Sequence, residues 1–190
     1  MSLQVNCAIL LFQNEIRFAI IGGRPPSGKY HCMANHIVVI ISDHKGTEFI
    51  EEAHNAGWSV TMVTRKKLLD KPWPWTSISE ARTVSDDADV MEYVRAVTNI
   101  AGSKKIDRVV GLDEFDVLTA AMTREHLNMP GMTRSFALRF RDKYTMRNVA
   151  RMAGIPCPEF TSVFNADEIN EYLATVPGPW VIKPRHEVSA

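Results

Sequence analysis

The run Ile37-Val38-Val39-Ile40-Ile41 narrows the possible folds more than any other stretch of the chain. All five side chains are β-branched and none alternates with a polar residue. That pattern predicts a strand buried on both faces, as in a parallel sheet covered by helices. Ser42 and Asp43 follow as helix-start residues. Phe49, Ile50 and Ala53 then recur at helical spacing to about Ala56. Gly57 stops the helix, and Trp58 to Val63 reads as the next strand. The β-α-β order predicts parallel strands joined by a right-handed crossover. Further on, Asp86-Asp87 opens a helix to about Ile100, and Arg108-Val109-Val110 is a strand. Asp113 is placed to cap a helix from Glu114 to about Leu127. The expected fold class over residues 36–128 is α/β, an open parallel Rossmann-like sheet with helices on both faces. The strands at Ile37, Trp58 and Arg108 should be neighbours or near neighbours. Lys71-Pro72-Trp73-Pro74-Trp75 cannot be a helix interior, because each proline removes a donor. It reads as a loop with both tryptophans packed onto the body.

The flanks differ. Residues 6–12 and 16–21 form two apolar runs around a short polar turn, a strand pair followed by a loop at 22–28. From Thr133 the order becomes helix, helix, strand, helix, strand. The helices are Arg134 to Phe140, Asp142 to Met152 and Asn165 to Leu173. Gly154 suits a left-handed cap, and Pro156 and Pro158 keep the next stretch extended. Pro177-Gly178-Pro179 is a turn, and Trp180 to Lys183 is a buried strand ending in a lysine. Three segments result: 1–35, 36–128 and 129–190, the last an α+β unit.

Composition excludes several classes. The 22 basic and 22 acidic residues cancel, so no strongly charged arm for nucleic acid is present. The local exception is Arg134, Arg139, Arg141, Lys143, Arg147 and Arg151 against Asp142 alone. This is either a solvated helix face or a surface turned to phosphate. Cys7, Cys32 and Cys157 are few, odd in number and far apart, which points to a reducing compartment rather than a disulfide framework. Cys32-x3-His36 lacks a second pair at zinc spacing. No apolar run reaches the roughly 18 residues of a membrane span, so a cytoplasmic location without membrane partners is expected.

Two nucleotide-loop patterns fail. Gly23-x4-Gly28-Lys29 is followed by Tyr30 where a phosphate loop needs Ser or Thr. Pro25 and Pro26 have no N–H to offer an anion. After the Ile37 strand, Ser42-Asp43-His44-Lys45-Gly46 lacks the G-x-G-x-x-G of a dinucleotide fold.

Two lysines remain. Lys143 lies in the first turn of its helix, and Lys183, forty residues later, ends an apolar run. A lysine there is either a snorkelling side chain or one that meets an anion. Asp142-Lys143-x-x-x-Arg147, Gly154-Ile155-Pro156-x-Pro158 and Val181-Ile182-Lys183-Pro184 resemble the ATP-grasp pattern. The stretch from Gly111-Leu112-Asp113-Glu114 to Met129-Pro130-Gly131-Met132 resembles the end of the pre-ATP-grasp domain that precedes it. The resemblance is specific over residues 107–183 and topological over 36–106. It implies that Lys143 and Lys183 bind ATP on one side of a cleft, and that a flexible loop of small residues begins near Arg185 and His186. It implies ATP and magnesium as cofactors, with the metal held by residues downstream of this chain.

The implied chemistry is activation of a carboxylate as an acyl phosphate, then attack by an amine or another nucleophile. Carboxylate–amine ligases of the amino-acid ligase type are favoured, and a biotin-carboxylase-like subunit is the alternative. The 190 residues then read as an N-terminal fragment of a ligase, inactive by itself, whose region after Met129 is mobile, swapped or paired with another copy. A Rossmann-like binding module without enzymatic role is the competing reading.

Overall fold

The computed structural model describes residues 35–186. The expected strand pair at 6–12 and 16–21, the loop at 22–28, and Ser189 and Ala190 lie outside the described residues. Four parallel strands form one sheet: β1 (His36–Ile41), β2 (Ser59–Arg65), β3 (Glu80–Val84) and β4 (Arg108–Gly111), in the order β3-β2-β1-β4. Ile37 pairs with Val60 on one side and Arg108 on the other. The three strands expected from sequence are therefore contiguous.

The β-branched run is buried on both faces because alternate residues feed two separate cores. Val38 and Ile40 join Val63, Val84 and Val109 against Tyr93, Val97 and Ile100 of α2 (Val90–Ala101) and Ala120 of α3 (Asp116–His126). Ile37, Val39 and Ile41 join Val60 and Met62 against Ile50 of α1 (Thr47–Asn55), with Leu68 and Trp73. Each such side chain contributes about 1.5–3 kcal/mol by leaving water. Trp73 lies in the second core and donates its indole N–H to the Leu68 carbonyl at 2.7 Å. Trp75 does not follow it, being 46% exposed on a single 3-10 turn at Trp75–Ser77.

Helix starts differ from the sequence expectation. α1 begins at Thr47, after a turn in which the Lys45 N–H donates to the Asp43 carbonyl and Gly46 is left-handed. α2 begins at Val90 under an Asp89 cap, because the Asp86 carboxylate accepts the Lys67 N–H instead. α3 begins at Asp116, since Asp113 caps only the turn before it, accepting from the Phe115 N–H. His36, half of the Cys32-x3-His36 pair, is structural: its ring nitrogens meet the Lys105 carbonyl and the Thr61 hydroxyl.

Beyond Met129 the expected helices form as α4 (Arg134–Arg141), α5 (Lys143–Met152) and α6 (Ala166–Thr175), with caps from Thr133, Asp142 and Asn165. Gly154 takes the left-handed conformation expected of it, at φ 70°. The expected strand at Trp180 to Lys183 does not form. That stretch is irregular, with Val181 74% and Ile182 84% exposed. An apolar run becomes a buried strand only beside another strand that takes its backbone groups, and no described strand lies alongside it.

Candidate functional site

A parallel sheet offers ligands the crevice at the carboxyl ends of its strands, where the strand order reverses. Here the chain proceeds from β1 outwards to β3 and then returns to β4 on the other side of β1. The loops after β1 and β4 therefore meet at the reversal. They bring together Ser42, Lys45, Asp113 and Asp116. The Lys45 ammonium pairs with the Asp113 carboxylate, and the Ser42 N–H donates to Asp116 at 3.1 Å. Burial would raise the Asp113 carboxyl, but the hydrogen bonds from Lys45 and the Phe115 N–H outweigh it and hold the group below its ordinary value. Asp116, only 2% exposed, is pushed up to about 6, chiefly by burial and against the hydrogen bonds from Ser42. Two carboxylates near one another thus differ in how readily they release a proton. Sequence reading took Asp113 as a helix cap and gave Asp116 no role, since no spacing rule links Asp116 to Ser42.

The second cluster surrounds the start of α5. Asp142 accepts the N–H groups of Tyr144 and Thr145 through Oδ1, which is an ordinary helix cap. Its other partners come from far along the chain. Arg185 Nε donates to Oδ1 at 3.0 Å, the Arg185 terminal nitrogen pairs with Oδ2, and His186 Nε2 lies 3.3 Å from Oδ2. The Asp142 carboxyl would be raised by burial, yet the Arg185 and Thr145 hydrogen bonds bring it below the usual carboxylate range. The Arg185 guanidinium is correspondingly raised by Asp142.

Lys143 and Lys183 belong to this second cluster. The Lys143 N–H donates to the Arg185 carbonyl at 3.0 Å. Lys183 is two residues before Arg185. Standard backbone dimensions then place the two lysine Cα atoms within roughly 14 Å of each other. Lys183 leaves an irregular, exposed segment rather than a strand end, so the strand-end geometry expected for it is corrected.

The basic run between Arg134 and Arg151 is largely occupied within the fold. Arg141 is buried and pairs with Glu114. Arg139 lies over the Phe136 ring, and Arg147 and Arg151 both lie over Phe160, at 5.7 and 4.2 Å. Arg151 also lines an open hollow of about 400 Å³ with Gly154, Ile155, Pro156, Cys157 and Glu159. Among the described residues no helix is long and apolar enough to cross a membrane.

Residues 50–131 match the family model of the ATP-grasp N-terminal domain. No curated protein matches the chain. Solved structures with the same fold include L-amino acid ligase from Bacillus licheniformis, at 21% identity and TM-score 0.60, covering 67% of this chain and 31% of that one. They include N5-carboxyaminoimidazole synthetase from Staphylococcus aureus, complexed with ADP, at 17% identity and TM-score 0.61, covering 81% and 39%. They also include the biotin carboxylase domain of Hydrogenobacter thermophilus 2-oxoglutarate carboxylase, in complex with MgADP and bicarbonate, at 12% identity and TM-score 0.56, covering 75% and 33%. The chain thus spans about a third of the length of the solved structures it resembles. The family match ends at Gly131, before either lysine.

Proposed function

We propose that this chain forms the N-terminal part of an ATP-grasp ligase, in which Lys143 and Lys183 bind the phosphates of ATP. The ATP-grasp N-terminal domain over residues 50–131 supports the family. The observation that carries the site is the hydrogen bond from the Lys143 N–H to the Arg185 carbonyl, which joins the two lysine-bearing segments across forty residues of chain.

In the reaction we assign, a carboxylate oxygen of the substrate attacks the γ-phosphorus of ATP and ADP leaves. An amine or another nucleophile then attacks the acyl carbon and displaces phosphate. The two ammonium groups neutralise charge on the phosphoryl oxygens, an electrostatic task that needs fixed cations more than any proton transfer. Among the described residues no group of three or more His, Cys, Asp or Glu is placed to hold a metal ion. Magnesium would arrive with ATP, since it is held mainly by the substrate phosphates together with one or two carboxylates.

Calorimetric titration of magnesium-ATP tests the proposal. The half-buried Lys143 and the exposed Lys183 contribute about 1 kcal/mol each, against the roughly 7 kcal/mol of a ~10 μM complex. A polypeptide limited to these 190 residues should therefore bind no tighter than millimolar, and the full-length protein in the micromolar range. Lys183→Ala in the full-length protein should weaken binding about fivefold or more. Micromolar binding by the 190 residues alone, or unchanged affinity of Lys183→Ala, would refute it.

A further inference from the structure

The first N–H of a helix has no partner within its own helix. In α5 that group belongs to Lys143, and its partner is the Arg185 carbonyl. The next carbonyl, that of His186, accepts from Arg141 Nη2 at 3.0 Å. The side chains complete the connection. Arg185 grips both oxygens of Asp142, and His186 approaches Oδ2. Residues 141–143 thus hold residues 185–186 through both backbone and side chains.

A helix cap alone needs one carboxylate oxygen. Asp142 Oδ1 serves that need, since Tyr144 and Thr145 both donate to it. Oδ2 faces Arg185 and His186 instead. The Asp142 side chain is 3% exposed, whereas Arg185 and His186 stand half in solvent. A fixed anion therefore anchors a more exposed segment. Charge-assisted bidentate pairs of this kind give geometry as well as energy.

We propose that Asp142 is a positioning residue for nucleotide binding: by clasping Arg185, it holds the preceding Lys183 beside Lys143, so that both cations meet one phosphate chain. This rests on the ATP reading of the two lysines. The substitution Asp142→Asn separates the two jobs of the side chain. Asparagine still caps the helix, but it has no charge for Arg185.

The test is made in the full-length protein, with magnesium-ATP titration and amide hydrogen exchange. Asp142→Asn and Arg185→Ala should each weaken magnesium-ATP binding about tenfold. The double variant should be no weaker than the worse single one, the signature of a shared contact. Exchange at the Lys143 amide should accelerate about tenfold in both variants, while the Thr145 amide keeps its protection in Asp142→Asn. Arg185→Ala leaves the cap intact and keeps the test open if Asp142→Asn fails to fold.

Unchanged nucleotide affinity in both variants, with Lys183→Ala still impaired, overturns the positioning role and leaves the ATP reading standing. Loss of Thr145 protection together with that of Lys143 in Asp142→Asn reduces Asp142 to a cap and overturns it too. If Lys183→Ala binds normally, the ATP reading itself fails and the positioning role falls with it.

Discussion

Residues 36–128 combine a sheet with helices, residues 129–186 carry helices alone, and the two regions differ in how they are held. In the first region every residue of β1 is buried, and the sheet is covered on both faces. In the second, α5 and α6 contain no buried residue, and Phe140, Met152, Phe164, Val181 and Ile182 all stand in solvent. Secondary structure in the second region is secured by caps and ion pairs: Thr133, Asp142 and Asn165 at helix starts, Arg141 on Glu114, Arg185 on Asp142. Local caps are enough to start a helix, but apolar burial is what fixes one element against another.

The largest expected effect contrasts apolar side chains of the same kind. Ile40→Ala, in the first core, should cost about 2–5 kcal/mol by removing buried methylenes and leaving a cavity. Ile182→Ala should stay within about 0.5 kcal/mol. Urea denaturation of both variants reads the difference, and equal losses would break the distinction between the regions. The tryptophans extend the contrast over a two-residue span. Trp73→Ala should cost about 3–5 kcal/mol, and Trp75→Ala much less.

Next in size is a gain. The Asp116 carboxyl is raised to about 6 in the folded chain, against an ordinary value near 3.8. The folded state therefore holds a proton more tightly than the unfolded one. Stability from this group is complete below pH ~4, falls as the pH rises towards 6 and is lost above it. Asp116→Asn should remove that penalty and raise stability at pH 7 by up to about 3 kcal/mol. The two proteins should become equally stable below pH ~4. A variant no more stable than the wild type at pH 7 would show that the buried charge is compensated.

Asp142 should show the opposite sign and a smaller effect. Its carboxyl is depressed in the folded chain, so its contribution is present above pH ~4 and is lost as the pH falls through the lower folded value. Acid should therefore loosen the Arg185 clasp while the sheet persists. Exchange at the Lys143 amide, corrected for the intrinsic pH dependence, should rise in acid before that of the β1 amides. Simultaneous loss would mean that the two regions unfold as one unit.

The difference between the regions also governed what the sequence could disclose. β1 was legible because burial on both faces leaves an unbroken apolar run, and β2 and β4 were legible from valine-rich stretches placed after helices. β3 was not, because Glu80-Ala81-Arg82-Thr83-Val84 lies at the sheet edge and buries only Val84. Trp180 to Lys183 gave the opposite error. Its apolar run matched a buried strand, but the pattern does not say whether a neighbouring strand exists. The sequence placed Lys143 in the first turn of a helix, and α5 begins at that residue. The pairing of Asp142 with Arg185 joins residues 43 apart, and no local periodicity encodes so distant a contact. Asp116 was hidden for the same reason, 74 residues from Ser42.

Gly111 sets a practical rule for anyone who would reshape the carboxyl edge of the sheet. A Cβ there would lie 2.7 Å from both the carbonyl carbon and the oxygen of Asp116. That is backbone, which cannot swing aside as a side chain would. A library that randomises the loops at this edge should therefore hold position 111 fixed. Diversity belongs at the exposed position Asp43, where a new side chain can meet solvent or ligand without prising α3 from the end of β4, whereas Lys45 should stay to pair with the buried Asp113.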